Sequence, residues 1–99
     1  MENRITGHSI VMVTKDQVSA DLSGEAAILN LKTGTYYGLD AVGARIWSLI
    51  QEPRRVDEIK GVLVQEYDVE PERCEEDLLS LLEELLSHGL IEVKDEKAP

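Results

Sequence analysis

The sequence predicts an α+β domain of winged-helix-like order: a three-stranded antiparallel sheet followed by three helices. Three observations predict it. Residues 17–22 and 25–31 alternate in side-chain character, and residues 35–39 (TYYGL) are rich in β-formers. Turn signals separate these runs, at Ser23-Gly24 and at Gly34. From Asp40 onward the apolar period lengthens from two to about 3.6, with short connectors dividing the region into helices.

The elements follow in order. Residues 1–10 are polar, contain Gly7 and show no period, and are expected to form a flexible tail. Residues 10–13 are apolar and either add a strand or lead into one. In residues 17–22, Val18, Ala20 and Leu22 form the apolar face expected of a half-buried strand. In residues 25–31, Ala27, Leu29 and Leu31 alternate with Ala26, Ile28 and Asn30, so both faces suit a middle strand. The turn at residues 30–34 places a positive φ on Gly34. The third strand is then left at an edge.

Asp40 stands where a helix N-cap belongs. The helix it opens runs to about Gln51, with Val42, Ile46, Leu49 and Ile50 as its inward stripe and Trp47 beside it. Gly43 costs this helix about 1 kcal/mol relative to Ala, which a close helix–strand approach would explain. Glu52-Pro53 stops it. The second helix spans residues 56–67 and turns Val56, Ile59, Val62 and Leu63 inward. Pro71 opens the third helix, which ends near His88 with Gly89 as its C′ residue. Residues 90–93 suit a short return strand, and residues 94–99 a charged tail. The domain itself is expected over residues 11–93.

The third helix is rich in leucine. Leu78, Leu79, Leu81, Leu82, Leu85 and Leu86 cover an arc of roughly 160°, against about 100° for a helix covering a small core. Cys74, Asp77 and Leu81 line one edge of the arc. Either the domain buries both edges, or one of them meets a partner.

Composition narrows the function. Apolar residues make up 42% of the 99, enough for one modest core, and aromatics only 4%. Twenty acidic residues against ten basic ones give a net charge of −10. That opposes binding to nucleic acid or to an anionic membrane, both of which need Lys and Arg. The lone Cys74 has no disulfide partner, and the chain has neither a signal-like nor a membrane-spanning apolar run, so a cytoplasmic, soluble protein is expected. Cys74 and His88 lie about 21 Å apart along one helix, too far for a catalytic dyad. No metal-ligand spacing, phosphate loop or acid–base pair stands out. The expectation is a non-enzyme without metal or cofactor.

Residues 24–93 resemble the PqqD-like family, the recognition elements for ribosomally made, modified peptides. The resemblance is carried by GEAAILNLKTGTYYGLDAVGARIWSLI, by PRRVDEI and by DLLSLLEELLSHGLIEV. It is strongest to the stand-alone members of lasso-peptide biosynthesis. It implies a peptide chaperone that binds the leader segment of a precursor peptide. The leader adds to the third strand, in a groove against the third helix, and is delivered to a leader protease. The family motifs carry over to Thr35, Tyr36, Tyr37 and Gly38 on the strand and to Cys74, Asp77, Leu78 and Leu81 on the helix. Arg55 departs from the family's usual capping Ser or Thr. Three alternatives stand beside this reading: a chaperone for another modifying enzyme such as a radical-SAM protein, a winged-helix transcription factor, and a homodimer through the surplus leucine face.

Overall fold

The computed structural model describes residues 5–94. The elements run β1 (Ile10–Val13), β2 (Gln17–Leu22), β3 (Glu25–Asn30), β4 (Tyr36–Leu39), α1 (Ala41–Leu49), β5 (Arg54–Arg55), α2 (Val56–Glu66), α3 (Pro71–Ser87) and β6 (Ile91–Lys94). The expected α+β meander and three helices are present. A second small sheet, ordered β5-β1-β6, joins the two ends of the described chain.

The meander β2-β3-β4 is antiparallel throughout, with β3 in the middle. Its turns use the expected residues: Gly24 at φ 91° and Gly34 at φ 76°. The register differs from expectation in one respect. Ser19 pairs with the fully buried Ile28, and Gln17 with the buried Asn30, so those β2 residues share the inward face. Val18, Ala20 and Leu22 therefore point outward, and Val18 and Leu22 are each 51% exposed. Alternation shows that a strand has two faces; the neighbour's register decides which one is inside.

Asp40 caps α1, its Oδ1 accepting from Gly43 N–H at 2.9 Å. A Cβ on Gly43 would stand 3.2 Å from Leu39 Cβ, the close helix–strand approach that the glycine permits. Ile46, Trp47, Leu49 and Ile50 are buried, but Val42, expected in the same stripe, is 41% exposed. At the start of α2, Arg55 N–H donates to Glu58 Oε1 at 3.3 Å, and its guanidinium pairs with Asp57 Oδ2 in the first turn at 3.0 Å. Glu58 thus reaches back as in a capping box without a capping hydroxyl. At the end of α3, Gly89 has φ 73°; its N–H donates to Leu86 C=O, and Leu90 N–H to Leu85 C=O. These two bonds form a Schellman closure. The chain then turns into β6.

Part of the stretch read as a tail is built into the fold. Ile5 and Ser9 are buried, and Thr6 N–H donates to Ser9 Oγ at 3.0 Å. Residues 1–4 and 95–99, the outer parts of the two expected tails, lie outside the described residues.

Buried Asn30 joins the two halves that matter for function. Its Nδ2 donates to the His88 carbonyl at 2.9 Å, and its Oδ1 accepts from Lys32 N–H at 2.9 Å and Thr33 N–H at 3.2 Å. The turn before β4 is thereby fixed to the end of α3. Asn30→Asp keeps the acceptor but sets an oxygen against the His88 carbonyl. Chemical denaturation is expected to show a loss of about 2–3 kcal/mol; an unchanged midpoint would refute this role.

A candidate peptide site at the β4 edge and helix α3

β4 pairs with β3 alone among the described residues. The hydrogen bond from Asn30 N–H to Thr35 C=O, 2.9 Å, sets the alternation along β4. Going on in steps of two, Tyr37 and Leu39 direct their backbone groups to Ile28 and Ala26. Tyr36 and Gly38 direct theirs away from the sheet. The open edge thus offers two N–H donors and two C=O acceptors, spaced for an extended chain.

The side chains divide the same way. Tyr37 and Leu39 face inward, Leu39 buried and Tyr37 half-buried. Tyr36 faces out and is 68% exposed. Gly38 is exposed, and a Cβ there would meet nothing within 4 Å, so the fold itself does not demand a glycine. Thr35 precedes the strand, its N–H held by Thr33 Oγ1 at 3.1 Å.

The C-terminal end of α3 meets β4 through Tyr37. At 100° per residue, Cys74, Asp77, Leu81, Glu84 and His88 fall along a single side of the helix. The Tyr37 hydroxyl donates to Glu84 Oε1, and the Tyr37 ring lies 5.3 Å from the His88 ring, centroid to centroid. Further toward the start of α3 the strip opens into a groove of about 440 Å³. Its walls are Cys74, Asp77, Leu78 and Leu81 from α3, Val42, Gly43 and Ile46 from α1, and Leu63, Tyr67 and Val69 from the α2 side, with Asp40 at the strand end. The lining is mainly apolar, with two carboxylates.

The four helix residues singled out from sequence thus lie in one groove, whereas Thr35, Tyr36, Tyr37 and Gly38 do not line it; Asp40, just after β4, is the nearest residue to the strand that does. Leu78 is 1% exposed and forms the floor; Leu81 is only partly covered. Cys74 is 6% exposed, and burial pushes its thiol pKa up, so it stays protonated and acts as a small apolar wall residue. Asp77 is exposed and stands 3.8 Å from Arg73, one helical turn away. Sequence reasoning missed Val42 and Gly43 as groove residues. Glu84 and His88, which meet Tyr37, were not singled out from sequence either. The signal for these two was present: both continue the spacing of three or four from Cys74 through Leu81.

Hydrogen bonding to Glu84 and, second, desolvation raise the Tyr37 pKa to about 12 from 10. A tyrosine held protonated in the fold stabilises it fully below the unfolded pKa. That contribution is lost as pH rises from about 10 through 12. Stability is thus expected to fall more steeply over that window than in Tyr37→Phe, as measured by denaturant unfolding at each pH. Identical slopes would contradict the assignment.

Comparison with known proteins gives the family. The model of the family described as coenzyme PQQ synthesis protein D (PqqD) matches residues 25–91. The chain belongs to the PqqD family. No curated protein matches it. Among solved structures, TbiB1 in complex with the TbiA(beta) leader peptide is 41% identical, with a TM-score of 0.78 over 89% of this chain and 99% of that one. A lasso peptide synthetase B1 complexed with a leader peptide shares the fold at 21% identity, with a TM-score of 0.74 over 83% of this chain and 96% of that one. This PqqD-family chain thus shares its fold with two proteins solved with leader peptides, and no described helix is long and apolar enough to cross a membrane.

Proposed function

We propose that this chain binds, without catalysis, the leader segment of a lasso-peptide precursor and delivers it to a leader protease. The observation that carries the proposal is the open β4 edge. Tyr36 and Gly38 present free backbone groups there, beside a groove walled by the Cys74–Leu81 part of α3. An extended leader adds as a fourth strand. Its inward residues lie along the α3 strip, and one apolar side chain enters the groove, with Leu78 beneath it and Leu81 and Val42 at its sides. Asp77 and Asp40 suit a basic neighbour. Thr35 and Tyr37 act by holding the strand in place. The 41%-identical neighbour, solved with a leader peptide, supports the reading.

Isothermal titration with leader peptides of cognate lasso-peptide precursors tests the first half; micromolar or tighter affinity is expected. Failure to bind any cognate leader would end the proposal. Adding the chain to the protease and precursor tests the second half: leader removal is expected to accelerate. An unchanged rate alongside intact leader binding would rule out delivery to that enzyme.

A further inference from the structure

The sheet that carries the groove has a second open edge. β2 pairs with β3 alone among the described residues. Leu31 N–H donates to Asp16 C=O at 2.9 Å, which sets the alternation here too. Val18, Ala20 and Leu22 turn their backbone groups to β3, and Gln17, Ser19 and Asp21 turn theirs outward. Every residue of β2 after Gln17 is exposed. The strand contains no Lys and no Pro, and its one-to-one register leaves no bulge; its one charged side chain is Asp21, opposite Ala26 on the inward face.

Beside this edge lies a groove of about 500 Å³ between β2 and α1, with Ser19, Asp21, Ala44, Trp47, Ser48 and Gln51 in its lining. Trp47 is 4% exposed, and its indole N–H is buried without an acceptor among the described residues. A buried indole N–H normally finds a partner.

We propose that β2 is a self-association edge, where a second copy of this chain pairs its own β2 in antiparallel fashion. Two three-stranded sheets thereby become one six-stranded sheet. The outward backbone groups at Gln17, Ser19 and Asp21 also permit a two-fold axis at Val18 or Ala20, but an axis on Ser19 is the one that uses all three residues of both strands. Ser19 then faces Ser19 of the partner subunit, and Gln17 faces Asp21 of the partner subunit, an amide opposite a carboxylate, on both sides of the axis. Centring on Asp21 instead would set two carboxylates against each other. The same strand brings polar side chains beside the groove in which the Trp47 N–H lacks an acceptor. β4 lies at the far edge of each sheet, so both peptide edges stay open. The proposal does not depend on leader binding. Each copy carries a charge of −10, so salt is expected to favour the dimer by screening.

Sedimentation equilibrium of the full chain, over rising concentration at low and high salt, tests it. A concentration-dependent dimer that salt strengthens is expected. Ser19→Lys places two lysines face to face and is expected to abolish the dimer; Ser19→Glu is expected to do the same. An equimolar mixture of the two variants is expected to restore it, because Lys then faces Glu. Ser19 is exposed and outside the peptide groove, so both variants are expected to retain the wild-type circular dichroism and leader affinity. Three results would overturn the proposal: a wild-type monomer at all concentrations, dimers of both single variants, or a mixture that stays monomeric. A monomer whose β2 amides become protected only on adding the protease would assign the edge to that enzyme instead.

Discussion

Tyr36→Pro is expected to lower leader affinity about tenfold, since one backbone hydrogen bond contributes about 0.5–1.5 kcal/mol and 1.4 kcal/mol is tenfold. The fold is expected to survive. The Tyr36 N–H points away from the sheet, and proline is tolerated on an edge strand where the lost donor faces solvent. Tyr36→Ala retains the N–H and serves as the control; the gap between Ala and Pro isolates the backbone donor. Tyr37→Pro, one position on, is expected to act on stability instead. Its N–H belongs to the pairing with Ile28, and its side chain reaches Glu84 and His88. A loss of about 2–4 kcal/mol is expected. Calorimetric titration and urea unfolding of the three variants would check both halves. Equal leader affinity for the Ala and Pro variants at position 36 would show that the peptide does not pair with this edge.

Leu78 and Leu81 are expected to separate in the same way. Leu78→Ala empties a site that is 1% exposed and should cost about 2–5 kcal/mol of stability through lost burial and a residual cavity. Leu81 is partly covered and lines the groove, so Leu81→Ala should cost only about 1 kcal/mol of stability. Its larger effect is on the leader, whose affinity is expected to fall about tenfold as the apolar wall is lost. Denaturation midpoints and leader titrations on both variants measure this. Normal leader binding by a folded Leu81→Ala protein would move the peptide off the α3 strip.

Much of the frame was legible because its signals are local. The Asp40 cap, the positive-φ glycines 34 and 89, and the apolar stripes of α2 and α3 each depend on neighbours a few residues away. The groove was half legible. Cys74, Asp77, Leu78 and Leu81 lie together because helical spacing puts them there, and the open edge follows from a meander having a last strand. Three things were hidden. The inward face of β2 depends on its register with β3. The exposure of Val42 depends on where α2 and α3 leave a gap. The outward direction of the Tyr36 and Gly38 amides depends on the phase of the β3–β4 ladder, which the Asn30–Thr35 bond sets. All three are relations between elements, and no single stretch encodes them.

The small β5-β1-β6 sheet has a bearing on how the molecule assembles. It pairs Ile10 with Lys94, near opposite ends of the described chain, whereas β2, β3, β4 and α1 are close neighbours in sequence. Closing a long loop is entropically slower to accomplish than closing a short hairpin. The β2-β3-β4 meander can therefore form early, while the pairing of the chain ends that follows directly on α3 comes later. Native-state amide exchange would then find β1 and β6 opening at lower free energy than β3. A lesion in that distant clasp, at Val11 for example, would loosen the helix wall and weaken peptide capture while the accepting strand stays formed.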